Sequence, residues 1–165
     1  MQYSVEYKSE YDNKHKPKII VAPLGIYHPK NISWKIESKA FELISTNALF
    51  ILNVFLGETF LLSLFASDSP DFPKANTLIL YNLELQELKK IEAPYIIDER
   101  VKGKGRNVKG MIGGLGENIR ILDGRQYIEV NINAGATREY YFELQLLSLD
   151  TFEFHPTYSQ CIYFR

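Results

Sequence analysis

The chain reads as all-β, mainly antiparallel, with few or no helices, arranged as a β-sandwich or in a partial propeller-like manner. Three observations point there. Apolar and polar residues alternate with period two in three separate segments, a long apolar run is broken at its middle by Gly57-Glu58, and Asp123-Gly124 stands between two apolar segments. Period two is the signature of a half-buried strand. Asp-Gly tolerates the positive φ that both central residues of a type I′ hairpin turn require.

Taken in order, Tyr3, Val5 and Tyr7 alternate with Ser4, Glu6 and Lys8 as a first strand. Residues 15–31 then space Pro17, Pro23 and Pro29 six apart, too many prolines for a central strand. Residues 1–30 are therefore expected to wrap a single domain, residues 1–165, as an edge arm. Ile32, Trp34 and Ile36 alternate with Ser33, Lys35 and Glu37 in the next strand. Only KAFELI (residues 39–44) and ELQELKK (residues 84–90) could form short helices, both needing tertiary support.

ALFILNVFLGETFLLSLFA (residues 48–66) has the length of a membrane helix, but Asn53 interrupts it and Glu58 would sit mid-span. A buried hairpin fits better, with Gly57 at the first central position of a type II′ turn. Unbroken apolarity on both arms implies strands covered on both faces, hence central ones. Residues 67–76 carry Pro70 and Pro73 and read as a surface connection. Further on, Ile128, Val130 and Ile132 alternate with Glu129, Asn131 and Asn133, and a turn at Gly135 leads into REYYFELQLLSL (residues 138–149).

Two segments share a pattern. TLILYNLELQELKKIEAP (residues 77–94) and YYFELQLLSLDTFEFHP (140–156) each run as an apolar strand, an acidic turn, a short second strand and a proline. The pattern resembles the outer half of a β-propeller blade, which implies repeated sheets built from hairpins.

At 165 residues the chain can bury roughly two-thirds of its unfolded surface without staples. Its single cysteine, Cys161, forms no internal disulfide, and a reducing compartment, the cytoplasm, is the expected location. The N-terminus lacks the apolar core of a secretory signal. A formal net charge of -1 gives no global attraction for nucleic acid or an anionic membrane.

The strongest chemical signal is VKGKGRNVKGMIGGLGENIR (residues 101–120), six glycines and five cations in one stretch. It fails as a dinucleotide fingerprint, because Val108 stands where the third glycine belongs. It fails as a P-loop, because Met111 and Ile112 take the lysine and hydroxyl positions. No cofactor is implied. A long loop is expected instead, bearing Arg100, Lys102, Lys104, Arg106 and Lys109 as candidate partner-binding residues. On an extended ribbon the first four would share one face and could track an acidic protein surface or a phosphate backbone. Aromatics that stack bases are missing from the cluster, which disfavours nucleic acid.

No histidine among His15, His28 and His155 has ligand-type spacing to another metal ligand, so no metal site is expected. Cys161 with His155 is a conceivable nucleophile pair, but a buried strand thiol is the commoner fate of such a cysteine. The expectation is a non-catalytic protein-binding or assembly module, either an inhibitor or immunity-type protein or a subunit of a larger complex. The alternative is a hydrolase or other enzyme with carboxylates gathered in a β-pocket.

Overall fold

The computed structural model describes residues 2–7, 24–27, 29–45, 50–66, 77–102, 107–134 and 141–163. The chain divides into two compact units, Met1–Lys90 and Ile91–Arg165. Both are made of antiparallel sheet, as the alternating patterns predict, and none of the three sheets closes into a barrel.

In the first unit, β1 (Gln2–Tyr7), β3 (Pro29–Ile36) and β4 (Lys39–Ile44) form a three-stranded sheet in the order β1-β3-β4. A second sheet has the order β2-β5-β6-β7-β8, from β2 (Leu24–Tyr27), β5 (Phe50–Leu56), β6 (Phe60–Ala66), β7 (Thr77–Asn82) and β8 (Glu87–Ile91). The two share one core. Ile32 and Trp34 of β3 join Ile51, Val54, Leu61, Phe65, Ile79 and Tyr81 of β5, β6 and β7. Trp34 keeps its indole N–H satisfied at 2.8 Å from the Leu83 carbonyl, as a buried tryptophan must.

The apolar run is the expected hairpin, and β6 is the central strand, buried from Leu61 to Phe65 on both faces. Its turn differs from the expectation. Gly57 flanks the central pair Glu58-Thr59 and donates to the Phe60 carbonyl at 2.8 Å, and its φ is not positive. Space is the reason for glycine, since a Cβ there would stand 3.0 Å from the Phe60 ring, which stacks on Phe55. Leu52 is the extra residue of a β-bulge opposite the Leu64–Phe65 step and is only half-buried.

Both candidate helices are strands. KAFELI is β4 and ELQELKK runs into β8, each on the edge of its sheet. Good helix formers lose here because each segment is too short to propagate a helix and each lies beside a ready partner strand.

The second unit is a four-stranded sheet of order β12-β11-β10-β9, formed by β9 (Met111–Leu122), β10 (Arg125–Asn133), β11 (Tyr141–Ser148) and β12 (Gln160–Tyr163). Asp123 and Gly124 turn β9 into β10 with φ of 50 and 74, the left-handed pair that the dipeptide predicts. Half of the expected glycine-rich loop is therefore strand β9. Its glycines serve bulges and close approach: Gly113 is an extra residue opposite the Asn131–Ile132 step, and residues 116–118 bulge opposite Glu129. Residues 99–102 form one helical turn, α1 (Glu99–Lys102). The expected surface connection at 67–76 and the turn at Gly135 lie outside the described residues.

Candidate interaction surface

Residues 92–102 and 107–110 form the two arms of a strap over one face of the β9–β12 sheet. Its base is a short antiparallel pair: Ile96 N–H donates to Val108 at 2.9 Å and Gly110 N–H to Pro94 at 2.8 Å. A Cβ on Gly110 would fall 2.2 Å from Ile132 Cγ2. The strap lies that close to the sheet.

Its first arm is held by a carboxylate beyond this base. Glu143 on β11 is fully buried, yet it accepts from Ile97 N–H at 2.9 Å, Asp98 N–H at 2.8 Å, the Ser159 hydroxyl at 2.7 Å and the Gln145 amide. Gln145 also donates to the Tyr95 carbonyl at 2.9 Å. A buried carboxylate without such donors would be costly. Four donors make it a clamp. Tyr141, Glu143 and Gln145 are successive same-face positions of β11, spanning about 13 Å, and each secures one part of the surface. Tyr141 packs its ring 4.8 Å from that of Tyr163, Glu143 holds residues 97–98, and Gln145 holds Tyr95.

What this arrangement presents is apolar and aromatic. Tyr95 is 62% exposed, Tyr163 54% and Ile97 37%. Arg100 joins them from α1, in a tight pair with Asp98 (Nη2 to Oδ2 2.7 Å, Nε to Oδ1 3.0 Å). That guanidinium holds the Asp98 carboxyl below its usual range, and Asp98 in turn raises the Arg100 pKa.

Residues 99–102 are one helical turn rather than the start of an extended ribbon, and Arg100 stands on it. Lys109 is ion-paired with Glu92 at the strap base. Lys104 and Arg106 lie outside the described residues. Among the described candidate cations, Arg100 lies near Tyr141 and Lys109 stands opposite Tyr95 in the strap's antiparallel pair.

A second buried carboxylate, Glu129 on β10, accepts from Arg120 Nε at 2.6 Å and Asn118 Nδ2 at 3.1 Å. Register sets the two carboxylates apart. Ile132 lies opposite Glu143 and Leu146 opposite Glu129, so strand alternation sends them to opposite faces of the sheet. They are not the facing acids that a β-pocket hydrolase needs. Among the described residues no group of three or more acids, histidines or cysteines is placed to hold a metal ion.

Cys161 lies opposite Glu143 in the β11–β12 ladder. Burial, then the Asp98 charge, push its thiol pKa up, the wrong direction for a nucleophile. His155 accepts through Nδ1 from Tyr158 N–H at 3.1 Å and packs its ring against Tyr127, a structural arrangement within the C-terminal turn. No helix among the described residues is long and apolar enough to cross a membrane.

Sequence reasoning missed Glu143 and Glu129. Glu129 was assigned to a solvent face by alternation, and nothing near Glu143 announces donors 45 and 46 residues away. A usable signal was Glu143 flanked by apolar neighbours in the aromatic strand.

Scans against protein-family models, curated proteins and solved structures found no match.

Proposed function

We propose that the chain is a non-catalytic protein-binding module, an inhibitor or an assembly subunit working in the cytoplasm, and that its contact surface is Tyr95, Ile97, Arg100, Tyr141 and Tyr163. One observation carries this reading. Exposed Tyr95 and Ile97 sit on a segment whose backbone is held by the buried Glu143 and Gln145, and the paired rings of Tyr141 and exposed Tyr163 stand on the strands beneath it. Tyrosine and arginine dominate the energetics of protein interfaces, and a surface rigid before contact loses less entropy on binding. A strongly acidic partner is not required, because Arg100 and Lys109 already have acidic partners within the chain.

The test is affinity capture from the native cell with full-length chain, comparing wild type, Tyr163→Ser, Tyr95→Ser and Ile44→Ser. Ile44 is an exposed residue of β4 in the first unit. A discrete complex retained by wild type and Ile44→Ser but lost from both tyrosine variants supports the reading. Equal capture by all four, or capture of nothing, refutes it.

A further inference from the structure

We propose that β5–β8 and β9–β12 are two copies of one four-stranded repeat, and that the second copy is specialised to present the strap; the repeat stands without any partner, whereas the presenting role rests on the binding function proposed above. Three independent features coincide.

The first is register. Phe60 lies opposite Asn82 and the β6–β7 ladder runs to Phe65 opposite Thr77; Tyr127 lies opposite Ser148 and the β10–β11 ladder runs to Ile132 opposite Glu143. Each is six consecutive pairs without a slip.

The second is a bulge. Aligning the ladders equates Leu64 with Asn131 and Phe65 with Ile132. Opposite the first step β5 inserts Leu52, and opposite the second β9 inserts Gly113. The extra residue falls at the same place.

The third is the turn that follows. Asn82 Oδ1 accepts from Glu84 N–H at 3.0 Å, and Ser148 Oγ from Asp150 N–H at 3.2 Å. Both turns close on a bulky residue in the left-handed region, Leu85 at φ 62 and Phe152 at φ 55, a conformation such residues rarely adopt. Strand-turn-strand patterns are common, but the ladder, the bulge and the left-handed closure do not imply one another.

The alignment shows where the copies differ. Leu62, Thr77 and Ile79 of the first correspond to Glu129, Glu143 and Gln145 of the second. The two carboxylates come with added chain. Residues 116–118 bulge out and bring Asn118 to Glu129, while residues 156–159 interrupt the outer strand and bring Ser159 to Glu143. Glu143 and Gln145 are the residues that grip the strap. In the second copy, strand positions of a plain repeat have become attachment points for a binding segment.

The experiment returns those positions to their first-copy residues in the full chain, as Glu143→Thr with Gln145→Ile, and follows amide exchange. Equivalent positions accept each other's residues, so the β10–β11 amides should keep protection within about ten-fold, while Ile97 and Asp98 amides exchange at least about ten-fold faster. Glu143→Gln, which keeps the side chain's size, should loosen the same two amides with the sheet intact. Loss of protection across β10–β11 in the double variant overturns the repeat. Unchanged protection of Ile97 and Asp98 in both variants overturns the clamp. If the amides loosen yet affinity capture of a Tyr163-dependent partner is undiminished, the presenting role fails; if wild type captures nothing, the binding function itself has failed, and exchange still decides the repeat.

Discussion

Gly110→Ala perturbs the place where the strap meets the sheet. The new methyl would lie 2.2 Å from Ile132 Cγ2, 3.0 Å from the Pro94 carbonyl oxygen and 3.4 Å from Ile96 Cγ1. Ordinary carbon contacts are about 3.5 to 4.0 Å, so Ile132 or the strap must yield by more than an ångström. Ile132 is fully buried, so displacing it disturbs the core around it. Overpacking of this kind costs about 1 to 3 kcal/mol. The assay is urea unfolding of the full chain followed by exchange at residues of the second unit, with Ile132→Ala as partner mutation. Ile132→Ala alone should cost about 2 to 5 kcal/mol. Because it deletes the clashing methyl, the double variant should be more stable than the sum of the singles predicts by about 0.5 to 3 kcal/mol. Gly124→Ala is the control, since nothing lies within 4 Å of its Cβ and its φ of +74 alone is at stake. Strict additivity of Gly110→Ala and Ile132→Ala would refute the close approach.

In the first unit, Leu62→Ala should cost about 2 to 5 kcal/mol, and Leu52→Ala clearly less, because Leu62 is fully buried while Leu52 is the half-exposed bulge residue; equal losses in chemical unfolding would contradict the register. Ser63 is fully buried with its hydroxyl unpartnered among the described residues, so Ser63→Val should raise the unfolding midpoint, a leftover desolvation cost of about 1 to 3 kcal/mol being removed. Cys161 should alkylate slowly at neutral pH, since burial and Asp98 raise its pKa, and Asp98→Asn should speed the reaction; fast labelling of wild type would contradict this. The Asp98 carboxyl is held low by Arg100. Its contribution is complete above the unfolded-state carboxylate pKa and is lost as pH falls through the lower folded value. Arg100→Gln should flatten that part of the acid-unfolding profile, a small effect for so exposed a pair.

How much of this the sequence discloses depends on the range of the forces involved. Asp123-Gly124 is legible because the φ requirement is local to two residues. The hairpin within residues 48–66 is legible because burial on both faces leaves an unbroken apolar run. β4 and β8 are misread because their helix formers speak for an isolated segment, whereas a neighbouring strand decides. Gly110 of the strap and Gly116 of β9 read as loop because their use, making room for Ile132 and for Glu129, depends on a strand not yet paired. Glu143 is the extreme case. Its donors come from the strap and from Ser159, and only the fold brings them together.

The proposed function requires the tyrosine surface to contact another protein. A photo-crosslinking amino acid placed in turn at Tyr163, Tyr95 and Ile44 of the full chain, activated in the native cell, tests it most directly. One and the same discrete adduct from positions 163 and 95, with none from 44, is the predicted result. No adduct from either tyrosine position, or an identical one from position 44, would contradict it.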